Sequence, residues 1–119
     1  MSLLRELTSK PGVSVAIDFS YHGDRFEHEG DLSHEQARQA SVMARAHNMG
    51  VHMQAAMLQD TAPVHGFAPL RGWQVRGPVY TVCGMANVVC FVEHRAGTVD
   101  EVMALLRERM ADAPPDMVY

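Results

Sequence analysis

The sequence contains few cysteines, no excess of positive charge and no long apolar segment. Only Cys83 and Cys90 occur in 119 residues, so a disulfide framework is not expected. The net charge is −4 with histidine neutral, which leaves no basic excess for phosphates and argues against a nucleic-acid partner. No segment approaches the roughly 18 apolar residues of a membrane helix, and Arg5 and Glu6 come too early for a signal peptide. We therefore expect a cytoplasmic protein that binds neither nucleic acid nor membrane.

Sequence motifs typical of enzymes are also missing. Neither the GxSxG motif of a nucleophilic serine nor the phosphate-binding patterns GxGxxG and GxxxxGK[ST] occur. Acidic residues cluster around the first predicted hairpin, but charge clusters on exposed hairpins are usually solvated: Asp18, Asp24, Glu27, Glu29 and Asp31. We expect a protein that is not an enzyme and that carries no cofactor.

The histidines and cysteines leave two alternatives open. The seven histidines show no HExxH pattern and no pair at i, i+4, so no metal site is expected: His22, His28, His34, His47, His52, His65 and His94. Metal binding by some of them, for example His47 with a methionine, is the first alternative. If residues 86–87 form a two-residue hairpin loop, Cys83 and Cys90 lie opposite each other on adjacent strands. They are then structural thiols or, as the second alternative, a redox pair.

Apolar periodicity and turn residues predict one domain over residues 1–119, with the element order α-β-β-α-β-β-β-α. Capping-box spacing marks the starts of two helices, Ser33 with Gln36 and Thr98 with Glu101. Residues 21–24 form a turn, residues 61–72 form a loop and residues 112–119 form a loose tail. The predicted helices are 3–9, 34 to about 60 and the segment after Thr98, and the predicted strands are 13–19, 25–29, 73–76, 79–85 and 88–93.

The last two predicted strands, 79–85 and 88–93, are apolar on both faces. Such strands need cover on both sides of their sheet. The fold class is therefore α+β: a five-stranded antiparallel sheet with the long helix on one face and the two terminal helices on the other.

The long helix carries two apolar stripes at helical spacing over residues 41–58. One stripe is rich in methionine: Met43, Ala46, Met49, Met53 and Met57. The other is rich in alanine: Ala37, Ala40, Ala44, Val51, Ala55 and Leu58. A helix that is apolar on two sides is normally buried on two sides, and the chain has no further helix to supply the second cover. We therefore expect a partner subunit on one stripe; the alternative is that the methionines are core residues against the sheet.

The order of elements resembles the roadblock/dynein light chain family, and a small bacterial subgroup of uncharacterised roadblock-like proteins in particular. The resemblance rests on the opening helix, a Pro11-Gly12 break and the strand at 15–19, on Gly30-Asp31-Leu32-Ser33 before a Met-rich helix, and on Leu70-Arg71-Gly72-Trp73. Family members join central strands into one continuous sheet with their long helices side by side. They act as platforms for small GTPases or motor complexes.

Carried over by position, the resemblance implies a homodimer in which residues 73–76, including Trp73, Val75 and Arg76, pair with their copy. The methionine stripe then lines the helix contact. The Met content and Gly50 are departures from the better-studied members. The expected function is a non-catalytic dimeric interaction or scaffold module that regulates a small GTPase or a larger complex. The alternatives are a small-ligand or metal sensor and a thiol redox protein.

Overall fold

The computed structural model describes residues 2–20, 22, 25–61, 66–67 and 70–113. The predicted turn at 21–24 and loop at 61–72 lie partly outside these residues, as do His65 and most of the predicted tail. The elements are α1 (Leu3–Thr8), β1 (Val13–Phe19), β2 (Phe26–Gly30), α2 (His34–Gln59), β3 (Trp73–Arg76), β4 (Tyr80–Met85), β5 (Val88–Glu93), a 3₁₀ turn (His94–Ala96) and α3 (Val99–Arg109). The predicted order and fold class are confirmed.

The five strands form one antiparallel sheet in the order β2-β1-β5-β4-β3. The central strand β5 pairs with β4 through the tight loop at Ala86-Asn87 and with β1 on its other side. Ala86 takes a left-handed φ of 53°, and Asn87 accepts a hydrogen bond from the Phe19 N–H at 3.0 Å. This topology leaves β2 and β3 as the two edges of the sheet.

Both faces of the sheet carry a core, as predicted. On one face, α1 and α3 contribute Leu4, Leu7, Val102 and Leu106, which pack against side chains of the sheet. On the other face, α2 packs through Ala44 against Val15, Ile17, Phe19 and Val89 of β1 and β5. One face is thus covered by two helices and the other by one.

The predicted caps have different outcomes. At α2, the Ser33 hydroxyl accepts from the Gln36 N–H at 3.1 Å, and the Gln36 side chain accepts from the Ser33 N–H at 3.0 Å, so the capping box is confirmed. The helix then runs unbroken through Gly50. At α3, the predicted capping box is wrong: the Thr98 hydroxyl donates to the carbonyl oxygen of Pro11 at 2.7 Å and makes no cap bond. A tertiary contact has taken the hydroxyl that the local pattern assigned to the helix start.

Candidate protein interface

The two apolar stripes of α2 have opposite environments. Three of the alanines, Ala37, Ala44 and Ala55, are buried. The methionine stripe faces solvent: Met43, Met49, Met53 and Met57 are 71%, 45%, 67% and 70% exposed, and Ala46 is also exposed. The four methionines of this stripe are therefore not part of the chain's own core. Exposed apolar patches of this kind typically mark binding surfaces.

An apolar groove separates α2 from the β3 edge of the sheet. Its volume is about 390 Å³. Met43 and His47 form its helix side, and Trp73 and Val75 form its strand side. The structure thus brings three of the predicted interface residues, Met43, Trp73 and Val75, into one surface. The other lining residues are Gln36, Gln39, Ala40, Ala44, Val82 and Phe91.

Trp73 is a fixed wall of this groove. Its Nε1 donates to Oδ1 of Asn48 at 2.9 Å, and Asn48 is buried on the inner side of α2. The indole ring lies over Gly84, where any side chain would collide with it. The His47 ring meets the indole edge-on, with ring centroids 4.4 Å apart. Sequence reasoning missed both His47 and Asn48, because neither lies near Trp73 in sequence.

The outer edge of β3 offers backbone hydrogen-bonding groups. The N–H of Gly77 donates to the carbonyl oxygen of Tyr80 at 2.8 Å, which closes the β3–β4 hairpin. In antiparallel pairs the bonding direction alternates from residue to residue, so Trp73 and Val75 point their N–H and C=O towards β4. Gln74 and Arg76 then point theirs away from β4. No described strand pairs with β3 on that side.

Cys83 and Cys90 lie directly opposite each other on β4 and β5, as the two-residue loop predicts. Both are free thiols with 0% exposure. A hydrogen bond from the Cys90 thiol lowers the pKa of Cys83, and the same bond together with burial raises the pKa of Cys90 above its usual range. Both side chains lie in the core between the sheet and the helices α1 and α3, so a reagent reaches the thiols only when this core opens. The structural role and the redox role both stay predictions.

The histidines are dispersed over the described residues. His94 shares a short 2.5 Å hydrogen bond with the Thr81 hydroxyl, and His34 packs against the Phe26 ring. Within residues 2–113, leaving out those that the structure does not describe, no three His, Cys, Asp or Glu side chains lie together as metal ligands. No helix in the same part of the chain is both long and apolar enough to cross a bilayer.

Fold and surface together define a class of protein: an α+β domain with helices on both sheet faces and an open edge strand beside an apolar helix. The chain belongs to DUF2173, a family described as an uncharacterised conserved protein, which matches residues 3–108. The matched range begins at the first residue of α1 and ends within the last turn of α3. No curated protein matches the chain.

Proposed function

We propose that the chain is a non-catalytic interaction module of the cytoplasm that works as a homodimer. Two copies join through β3, as the resemblance to roadblock proteins implies, and through the adjacent flank of α2. This geometry keeps Met43 of the methionine stripe in the contact and, unlike the arrangement that the resemblance implies, leaves the rest of the stripe outside it. One observation carries the proposal: the unpaired backbone edge of β3 lies directly beside the apolar groove, so a single partner covers both.

The two parts of this surface complement each other energetically. Backbone N–H and C=O groups at a strand edge gain partners when a second strand is added, and this is a common way for proteins to bind extended segments. The groove supplies apolar area, with Met43 and Val75 71% and 46% exposed. Burying apolar surface stabilises association by about 25 cal/mol per Å² before the costs of ordering are subtracted.

A second copy of the chain is the occupant that this surface fits best. A twofold dimer needs a self-complementary patch, because each residue meets its counterpart's surroundings on the other subunit. An antiparallel edge strand satisfies that condition, since it offers donors and acceptors in alternation to a strand running the opposite way. The apolar surface beside the strand satisfies the condition as well, because on each copy it meets the apolar surface of the other.

We further propose that the dimer is a platform for a small GTPase or a larger complex. On a helix of 3.6 residues per turn, Ala46, Met49 and Met53 point away from the sheet, and they do not line the groove beside β3. A dimer formed through β3 therefore leaves them accessible to a further protein. Flexible, polarizable thioethers suit such adaptable contacts.

The oligomeric state tests the dimer. Wild-type protein at micromolar concentration should sediment as a dimer. The substitution Met43→Glu should weaken the dimer at least about 100-fold, because it forces two carboxylates into an apolar contact. The matched control is Val42→Glu, which places the same charge on the neighbouring residue, about 100° further round the helix and away from β3. A monomeric wild type, or equal loss in the two variants, contradicts the proposal.

A further inference from the structure

The side chains of β3 alternate between the two faces of the sheet. Trp73 and Val75 line the groove on the α2 side. Gln74 lies opposite Cys83, whose side chain belongs to the core on the α1 and α3 side, so Gln74 and Arg76 face that way. Any strand added to this edge must respect this alternation.

Alternation restricts how two β3 strands can pair. Residues directly opposite each other in an antiparallel pair point to the same face of the sheet. In a twofold dimer through β3, residues of the α2 side therefore oppose residues of the α2 side. The twofold axis must then lie at a residue that faces its own copy on the other subunit. It cannot lie between two consecutive residues, because opposing residues would then point to different faces. Four registers remain, one centred on each residue of β3.

Two of these registers can be excluded, one because of its side chains and the other because of the bounds of β3. An axis at Arg76 places two guanidinium groups directly opposite each other and pairs Gln74 with Pro78, which has no N–H to donate. An axis at Trp73 requires residues 70–72 to continue the strand, but β3 begins at Trp73. The indole is also turned back over Gly84 and bonded to Asn48, away from the edge.

The remaining choice is between axes at Gln74 and at Val75. With the axis at Gln74, only the central pair forms hydrogen bonds within β3. The next pair would join Arg76 to Gly72, which lies outside the strand and packs close to the Met85 and Met103 side chains. With the axis at Val75, Gln74 of each copy forms two hydrogen bonds with Arg76 of the other, and all four bonds come from residues of β3.

Side chains also favour the axis at Val75. The two Val75 side chains then meet as a pair without mutual backbone hydrogen bonds, which is the arrangement that brings opposing residues closest. Val75 is 46% exposed and so has apolar surface left to bury. On the other face, the Gln74 side-chain amide lies opposite Arg76 of the other copy, where it accepts a hydrogen bond from the guanidinium.

We propose that the homodimer pairs its β3 strands antiparallel about an axis at Val75, with four backbone hydrogen bonds between Gln74 and Arg76 of the two copies. The inference rests on the proposed function and adds to it a single register. It makes Val75 the centre of a continuous ten-stranded sheet.

Cysteine cross-linking reads the register directly. In the proposed dimer, two cysteines at position 75 face each other across the axis. Two at position 74 are diagonal neighbours about 7–8 Å apart, beyond what a disulfide spans. With the axis at Gln74, the roles of the two positions are reversed. Because Cys83 lies directly opposite Gln74 and would form a disulfide with a cysteine there, both substitutions are made in a Cys83→Ala background. We would oxidise the Val75→Cys and Gln74→Cys proteins of that background with diamide and quantify covalent dimer on non-reducing gels.

We expect at least about tenfold more covalent dimer from Val75→Cys than from Gln74→Cys, since only the former meets the disulfide geometry. The Cys83→Ala protein without a further substitution is the control and should give none, because its remaining cysteine, Cys90, is fully buried. Cross-linking at 74, or at neither position while the reduced variants still sediment as dimers, overturns the register and leaves the proposed function standing. Reduced variants that are monomeric together with a monomeric wild type overturn both.

Discussion

The two edges of the sheet are built differently. The β2 edge carries Glu27 and Glu29 on one face, and Glu29 forms an ion pair with Arg5 at 3.5 Å. In any antiparallel pairing of two β2 strands, these glutamates share a face with their copies, so like charges meet. The β3 edge has no acidic residue and exposes Val75 beside the groove. Charge is a usual protection of an edge against pairing, so the contrast indicates which edge is meant to stay single.

The largest expected effect comes from proline at the β3 edge. Gln74→Pro removes a backbone N–H that points away from β4, so the chain's own hairpin loses no hydrogen bond. A strand added to this edge loses that donor once per copy and meets the proline ring. We expect the dissociation constant to rise at least about 100-fold, while the melting temperature changes little. Sedimentation velocity and circular dichroism measure the two quantities.

The matched control is proline at the other edge. The Ser20 N–H donates to the Arg25 carbonyl at 2.9 Å, and alternation from that pair points the His28 N–H outwards at the free side of β2. His28→Pro should therefore leave both the fold and the dimer intact. If His28→Pro dissociates the dimer and Gln74→Pro does not, the two edges have been assigned the wrong way round.

A smaller effect is expected at the wall of the groove. Trp73→Phe keeps an aromatic ring but removes the donor to Asn48, which is 1% exposed. Removing a hydrogen bond from a buried acceptor costs about 1–3 kcal/mol of unfolding free energy. Urea unfolding followed by circular dichroism measures it.

A double-mutant cycle separates this hydrogen bond from the change in ring size. Trp73→Phe, Asn48→Leu and the double variant should show a coupling of about 0.5–1.5 kcal/mol, because each single change removes the same bond. Additive effects of the two changes would mean that the bond adds nothing to stability. The interpretation of Trp73 as a fixed wall of the groove would then be wrong.

Local patterns were sufficient for much of the fold. Period-two and helical spacing predicted every α-helix and strand in order, though not the 3₁₀ turn at His94–Ala96, and β3 and β5 have the predicted bounds. The two-residue loop at Ala86-Asn87 predicted the facing cysteines because a hairpin loop fixes register. The two stripes of α2 predicted surplus apolar surface, although spacing alone could not say which stripe faces the sheet.

Long-range contacts were beyond the sequence. The groove depends on the strand order, which places β5 between β1 and β4, and no periodicity encodes that order. The contact of Trp73 with Asn48 joins residues 25 apart. The bond from Thr98 to Pro11 spans 87 residues and displaced a cap that the local spacing favoured. The outward direction of the Gln74 N–H follows from the register of the β3–β4 hairpin, and only the structure gives that register.

The smallest expected effect lies on β1, next to the acidic β2 edge. Asp18 of β1 sits opposite Glu27 of β2; partial burial raises the pKa of Asp18, the Glu27 charge raises it further, and a hydrogen bond with the Glu27 backbone partly offsets both. The folded chain thus holds this proton more tightly than the unfolded chain. Stability therefore falls as the pH rises from the ordinary carboxyl pKa to the raised one, and ionised Asp18 destabilises the fold at neutral pH.

Asp18→Asn should accordingly raise the melting temperature at pH 7, and the gain should vanish as the pH falls below about 4, the ordinary carboxyl range. The gain should be below about 1 kcal/mol because the site is partly solvated and screened. Glu29→Gln is the control, since it removes a carboxylate from the same face of the sheet that is paired with Arg5 and should bring no gain. An equal gain at both pH values, or a loss at pH 7, would mean that the Asp18 charge beside Glu27 does not destabilise the fold. Glu27 could then not be interpreted as a charge that prevents strand pairing at the β2 edge at the expense of stability.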